Sequence, residues 1–409
     1  MRSLKRQIVM VMVVFCFLTF WGKFVYGVEY TITHSGDFTG PFAVVMKTVD
    51  DCEKVFFQWW NDTKGKELGV KLFRKVFDSR YDATVVASLW PGILAGDKPI
   101  AHLGAGGPDV AALMKRLPND KVPMFMPAPA YGFTWLPNQW VFMPRPTYVH
   151  ELAGFLNWVH LNKIKGRPVR LAAVSTQTPA FVDQIDGLEA FVKVNPWVEF
   201  VGTEWVKMQP VSLISEIRRL HSKKPDFIYS GCNTSITLAI ARAEQELGIQ
   251  IPLILSSHNG IQMSSFAGGD IKLLEGDYES YACDPALDLS KPAPSIYTSY
   301  KEKMKLGSNW TSLSVQYCLQ ALLALRAVER AVAVLGPEKV TGEAVYNAMF
   351  YKPFTEEDLL GMASALTFTK DAPFSLKDVK VRITTVREGK HVLASTDWIP
   401  VPSVPNWVK

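Results

Sequence analysis

Residues 169–205, VRLAAVSTQTPAFVDQIDGLEAFVKVNPWVEFVGTEW, decide the fold. Val169 to Val174 is a short apolar run of strand length, and Ala180 to Val194 carries apolar residues at helical period. Glu199 to Trp205 is again extended in character. Strand, loop, helix and strand in that order make a unit whose two strands lie parallel, with the helix packed on the sheet face.

The rhythm continues in both directions. Downstream lie a helix from Val211 to His221, a strand from Phe227 to Tyr229 and a helix from Thr234 to Leu247 that ends at Gly248. Strands Leu253 to Leu255 and Tyr278 to Ala282 follow. Upstream, Tyr30 to Thr33 leads through the loop Ser35 to Gly40 into a helical stretch with Val45, Val49, Phe56 and Trp60 on one side. Val70 to Phe77 is the next strand, and Asp82 caps a helix through Leu89. Ile100 to Leu103 and Val122 to Met126 are short buried strands, and Trp140 to Met143 ends at Pro144 and Pro146 before a helix from Tyr148 to Leu161.

After Asp284 and Pro285 the chain returns to helices, Ser295 to Lys305 and Ser312 to Val334. It closes with strands at Ala365 to Thr369, Val379 to Thr385 and His391 to Thr396. A hydrophobic fraction of 48% excludes a disordered chain, and roughly 380 residues exceed what one core supports. The fold expected is α/β, two Rossmann-like lobes with mostly parallel sheets. Residues 28–143 plus 284–364 form lobe I, and 144–283 plus 365–409 form lobe II.

Residues 1–27 read as a signal peptide. Arg2, Lys5 and Arg6 precede an apolar run from Ile8 to Phe20, which Lys23 closes before it is long enough to span a bilayer. Val25 and Gly27 supply the small residues for a cut after Gly27, and Cys16 has no lipoprotein-type small-residue context. The expectation is an exported, unanchored, monomeric product in the periplasm.

Loss of the four leader cations takes the formal charge from +5 to +1, so no nucleic-acid surface is expected. The Lys301, Lys303 and Lys305 stretch reads as a solvated helix face. Cys52, Cys232, Cys283 and Cys318 remain without C-x-x-C spacing, which removes a structural zinc or thioredoxin-like centre. Cys232 with Cys283 is the preferred pairing because both follow short apolar runs. Four buried, reduced thiols are the alternative.

Enzyme signatures fail one by one. Gly104, Gly106 and Gly107 sit between a strand and a helix, but Asp109 stands where a dinucleotide loop needs its last glycine and sets a negative charge against pyrophosphate. A tight turn at a strand end is the simpler reading. No esterase elbow, H-E-x-x-H pair or P-loop occurs. Most of the seven histidines read as surface or helix-end residues, while His34 and His258 lie at or beside strand ends, where open parallel sheets hold ligands. Phe125, Tyr131, Phe133, Trp135 and Trp140 either line an apolar pocket or cover the joint between lobes.

Five segments, in this order, carry a family resemblance: Thr39-Gly40-Pro41, Asp78 with Tyr81-Asp82, the Gly104 loop, Phe142-Met143-Pro144-Arg145, and Thr341-Gly342-Glu343-Ala344-Val345. The chain thus resembles the type I periplasmic solute-binding proteins of ABC transport, in particular the leucine/isoleucine/valine-binding family. The resemblance implies two α/β lobes joined by three crossovers, a small molecule held between strand ends, and permease and ATPase subunits as partners. It implies no catalysis and no cofactor. A ligand touching both lobes shifts the hinge equilibrium by its differential affinity for the closed state.

The departures bear on the ligand. Amino-acid-binding members hold the carboxylate with Ser and Thr donors and the ammonium with an acid. This chain resembles them in register but has Gly106-Gly107-Pro108 for the Ser-rich loop and Ala128-Pro129-Ala130 for the Ala-x-Thr segment. Ser257-His258-Asn259-Gly260 replaces the acid, and Asn233 stands near the expected Tyr. An ammonium desolvated without its acid costs several kcal/mol, so a branched-chain amino acid is disfavoured unless Asp37 or Asp109 replaces the acid from lobe I. The expected ligand is a small apolar or aromatic molecule with a carboxylate or amide. It packs against Phe38, Tyr131 or Phe181 and is hydrogen-bonded by Ser35, Thr39, His258 and Asn259. A sensor module of a signalling system is the alternative, which the end of the chain at Lys409 disfavours. A nucleotide-dependent enzyme using the Gly104 loop comes third.

Overall fold

The computed structural model describes residues 27–128, 132–256, 260–266 and 270–408. Two sheets organise them. The first has five strands in the order β2-β1-β3-β4-β5 and is parallel throughout. Its strands are β1 (Val28–Gly36), β2 (Val70–Asp78), β3 (Ala101–Leu103), β4 (Met124–Phe125) and β5 (Val141–Phe142).

The helices between them bury one face each. In α1 (Ala43–Trp60) the residues Val49, Cys52, Val55, Phe56 and Trp60 are inaccessible to solvent. α2 (Ala83–Asp97) begins where the Asp82 carboxylate accepts the N–H groups of Thr84 and Val85, satisfying two donors that the first turn leaves open. It runs past the expected stop at Leu89 and contains Pro91. Proline removes one ladder bond, but buried Trp90 and Ile93 straddle it and hold the helix to the sheet. α3 (Gly107–Leu113) and α4 (Leu117–Asp120) follow β3.

The second sheet has the path β12-β11-β10-β9-β8-β6-β7. It is served by α5 (Tyr148–Asn162), β6 (Val169–Ser175), α6 (Pro179–Val194), β7 (Val198–Trp205) and α7 (Ile214–Ser222). After these come β8 (Phe227–Ser230), α8 (Thr234–Leu247), β9 (Leu253–Leu255), α9 (Ile261–Phe266) and β10 (Tyr278–Tyr281). The parallel unit read from residues 169–205 is present, with β6 and β7 paired from Val169–Val198 to Ser175–Trp205. Asn233 caps α8 at one end and Gly248, at φ +64°, closes it at the other.

The chain then adds α10 (Pro292–Lys303), α11 (Ser312–Leu335) and α12 (Gly342–Ala348), the last of which follows a Thr341 cap. No described helix is long and apolar enough to cross a membrane. β11 (Lys380–Arg387) and β12 (Lys390–Leu393) join the second sheet antiparallel, and β13 (Ile399–Pro400) pairs with β11.

Two expectations are corrected. Ala365 to Thr369 is no strand: only single bridges form, Phe354 with Leu366 and Thr369 with Ala372. The apolar residues there are drawn into an aromatic core, with Phe368 edge-on to both Phe142 and Phe354, and no neighbouring strand offers a ladder. Cys232 and Cys283 are not paired. All four described cysteines are free and buried, Cys232 donating to the Val174 carbonyl at 3.1 Å. Of the histidines, His150, His160 and His221 stand in the end turns of helices as expected, while His34 and His102 are buried on β1 and β3.

Candidate functional site

Open parallel sheets hold ligands beyond the carboxyl ends of their strands, and two contacts bring those ends of the two sheets together. Gly132, in the loop after β4, donates its N–H to Asp183 in the first turns of α6 at 2.5 Å. Ser312 at the start of α11 donates its N–H and hydroxyl to Gln262 of α9, at 2.9 and 3.0 Å. The strand-end loops of the first sheet therefore face those of the second.

On the first sheet the walls are built by carboxylates that organise the strand-end loops. Asp37 accepts the Phe42 N–H at 2.7 Å. Asp78 takes the Phe38 N–H at 3.0 Å and the Thr39 hydroxyl at 2.6 Å. Slight burial pushes Asp78 up, but Thr39 and the Arg80 and Phe38 amides outweigh it and hold the carboxyl below its ordinary range. Asp109 accepts the Ala105 and Gly106 amides at 3.0 Å each and so braces the loop that leads into α3. The other oxygens of Asp37 and Asp109 are buried without a hydrogen-bond partner among the described residues, that of Asp109 lying 3.9 Å from His102 Nε2.

Between these loops stands Tyr81, which the sequence reading used as a motif residue and not as a site residue. Arg80 and Tyr81 both sit at φ +53°, a conformation that costs a non-glycine residue about 1–2 kcal/mol. The turn aims the Tyr81 ring edge-on against Phe42, with centroids 4.6 Å apart, and its hydroxyl receives the Gly107 N–H. Burial raises the phenol above its ordinary value, with Asp109 and Asp37 adding to the shift, so it remains protonated. A Cβ at Gly106 would collide with the Tyr81 ring, which makes glycine a steric requirement there. No one-dimensional signal marks such a pair of left-handed residues.

Beneath the wall lies a buried polar layer. The His102 ring meets the Thr33 hydroxyl through Nδ1 at 2.9 Å and the Ser35 hydroxyl through Nε2 at 3.1 Å. Burial holds His102 below its ordinary pKa against the pull of Asp109, so the ring is neutral, one nitrogen donating and the other accepting. His34 contacts Glu53 at 2.9 Å, and Arg74 reaches the same carboxylate at 2.5 Å. Burial pushes Glu53 up, but His34 and Arg74 outweigh it and keep the carboxylate ionised.

The other residues expected at the site fall as follows. Ser35 is buried with its hydroxyl on His102, and Phe38 is 42% exposed at the rim beside Phe42 at 47%. Thr39 is bound to Asp78, Gly106 and Gly107 open α3, and Ala128 ends the strand-end loop of β4 half-buried. Phe181 lies half-buried in the first turn of α6. The Asn233 carbonyl oxygen caps Ile236 N at 3.1 Å and accepts the Ser235 hydroxyl, while its amide donates to the Met208 carbonyl. Ala130, Tyr131, His258 and Asn259 lie outside the described residues. Of the aromatic run, Trp135 packs on His150, Phe374 and Trp407, and Trp140 stacks on Tyr346, so these two cover joints between elements.

Among the described residues no group of three or more His, Cys, Asp or Glu could hold a metal. What the site offers is hydrogen-bonding loops and aromatic faces between two α/β lobes, the make-up of a binding protein of the periplasmic type. The chain belongs to the periplasmic binding protein family, a family of non-enzymatic binding proteins whose sequence model matches residues 29–377.

Solved structures agree on the fold. A branched-chain amino acid ABC transporter protein from Thermus thermophilus with bound valine superposes with a TM-score of 0.75 at 17% identity, over 93% of this chain and 97% of that one. A fatty acid ABC transporter substrate-binding protein from Thermomonospora curvata gives 0.72 at 18%, over 93% and 97%. A leucine-binding protein from Thermotoga maritima gives 0.69 at 15%, over 91% and 99%. Among curated protein sequences there is no match.

Proposed function

We propose that this protein is the substrate-binding component of an ABC importer of the branched-chain amino acid type. It carries a small apolar or aromatic carboxylate or amide between its two lobes and delivers it to permease and ATPase subunits. Lobe I comprises residues 28–143 plus 284–364, and lobe II residues 144–283 plus 365–409. Export through residues 1–27 places the mature monomer in the periplasm.

The observation that carries the ligand class is the wall of the first sheet. Asp37 and Asp109 hold backbone amides of their own loops and Asp78 holds the Phe38 amide of the neighbouring loop and the Arg80 amide of its own, while Phe38 and Phe42 stand exposed and Tyr81 lies between them and Gly107. Such a wall supplies aromatic area with few convergent polar groups, which suits an apolar body bearing one polar end. The Ser35 hydroxyl, held by neutral His102, supports that end.

Calorimetric titration of the mature chain with branched-chain amino acids, aromatic acids and aromatic amides tests the reading. Binding of an aromatic acid or amide, with leucine weaker by at least tenfold, about 1.4 kcal/mol, is the expected result. Tight leucine binding with no aromatic-acid or amide binding would overturn it.

A further inference from the structure

The contact that joins α9 to α11 is anchored at both ends. Gln262, in the first turn of α9, accepts the Ser312 N–H and hydroxyl through its Oε1 at 2.9 and 3.0 Å. The Thr311 hydroxyl that caps α11 takes the Ser314 amide, so Gln262 supplies the acceptor for the first amide of that helix. α11 is fixed in turn to the first lobe. Gln320, inaccessible to solvent, donates to the Gly104 and Phe125 carbonyls at 2.8 and 2.7 Å, and the Trp60 indole of α1 donates to Glu329 at 2.7 Å.

At the other end stands Glu279 of β10, also inaccessible. Its Oε1 accepts the Ile261 N–H that opens α9, and the Tyr281 hydroxyl at 2.9 Å. Its Oε2 accepts the Thr384 hydroxyl of β11 at 2.7 Å and meets His391 Nε2 of β12 at 2.8 Å. Burial pushes this carboxyl up, but His391, Thr384 and Tyr281 outweigh it and hold it below its ordinary range. A buried charge persists only where donors satisfy it, and one donor here is the first amide of α9. A Cβ at Gly260 would fall on Glu279 Oε1 and the Tyr281 hydroxyl, so only glycine allows the backbone so close.

We infer that Gln262 and Ser312 form an interlobe latch and that Glu279 is the positioning residue that holds α9 in register for it. The inference rests on the two-lobed reading above and is independent of the class of ligand. A contact made only while the strand ends face each other favours that arrangement by its own free energy. It thereby raises the affinity of any ligand that touches both lobes. The Gly132–Asp183 contact spans the same joint, so it opens together with the latch when the lobes part as bodies.

The test is hydrogen exchange on the ligand-free mature chain, read residue by residue at the Ser312 and Gly132 amides and expressed relative to β6. Gln262 is half-buried, so Gln262→Ala removes the acceptor without opening the core. It is expected to quicken both amides about tenfold or more. Gly260→Ala, which drives a methyl onto Glu279 Oε1, is expected to do the same from the other side, and so is Glu279→Ala. Unchanged exchange at Ser312 in Gln262→Ala, or a rise there with Gly132 unmoved, would overturn the latch. Ser312 matching the wild type in Gly260→Ala would overturn the role of Glu279, and this arm does not depend on Glu279→Ala folding. Titration of the wild type decides the ligand class separately, so either reading can fail without the other.

Discussion

Arg145 and Glu151 face each other where the chain passes from the first sheet to the second, Nε and Nη2 lying 2.9 and 2.5 Å from Glu151 Oε1. The same oxygen accepts the Ala282 N–H at 2.7 Å, where the chain leaves β10, so one carboxylate ties two interlobe segments. Both side chains are buried. Removing one partner of such a pair strands the other charge, so Glu151→Ala is expected to lower stability by about 3–5 kcal/mol. Urea unfolding measures it, and a loss under about 1 kcal/mol would contradict the assignment.

Two buried acids beside the second sheet, Glu244 on α8 and Asp277 just before β10, make no ion pair among the described residues. Burial raises both Glu244 and Asp277 to about 8, each accepting one backbone amide, from Ile251 and Leu253 respectively. Both are protonated in the folded protein at neutral pH, whereas the unfolded chain ionises near 4. The folded state thus binds the extra protons between about pH 4 and 8, and stability falls as pH rises through that window. Asp277→Asn keeps the acceptor for Leu253 and abolishes one ionisation. It is expected to stabilise the protein at pH 9 by on the order of 3 kcal/mol and to match the wild type near pH 4. Denaturant midpoints across that range decide it; equal midpoints at pH 9 would refute the buried-acid account.

Tyr81 and Gly106 form a steric pair at the strand ends. Gly106→Ala drives the new methyl into the ring and displaces it from the Gly107 amide. Loss of ligand affinity by about tenfold or more is expected by titration with the tightest-binding compound of the panel, corresponding to about 1.4 kcal/mol. Tyr81→Phe removes only the hydroxyl and should cost less. Unchanged affinity in Gly106→Ala would place the ligand elsewhere.

The C-terminal segment clasps the joint. The Trp407 indole donates to Asp183 at 2.9 Å, packs against Gly187 and meets Trp135 edge-on at 5.5 Å, while Asp183 also holds the Gly132 amide. Trp407→Ala leaves the Asp183 carboxylate one donor short and uncovers Trp135. A loss of about 2–3 kcal/mol is expected, with faster amide exchange at Gly132–Trp135 than at β6. Hydrogen exchange by mass spectrometry shows it, and uniform exchange at both places would rule out a local clasp.

Much of this protein is determined by short-range pattern. Apolar runs at strand length, helical periods between them, Asp82 as a cap and Gly248 as a stop fix the order of elements, because period and capping act within a few residues, whereas Asn233, read as a ligand contact, is found capping α8. The same reading of residues 365–369 failed, since a strand needs a neighbour to pair with and only the folded chain shows that none is there. The Gly104 loop was recognised from its spacing, but Asp109 as the carboxylate that braces it was not. His102 and Glu53 are polar residues that the sequence places anywhere, and His34 was read only as a strand-end residue; burial beside partners distant in the chain makes the three a layer under the site. Tyr81 facing Gly106 and Trp407 reaching Asp183 belong to the same class. Sequence by itself determined the alternation of strands and helices, the two-lobed architecture and the absence of catalytic signatures. Only the tertiary structure decided which side chains meet, because those contacts join residues far apart along the chain and exist only once the helices and sheets have packed.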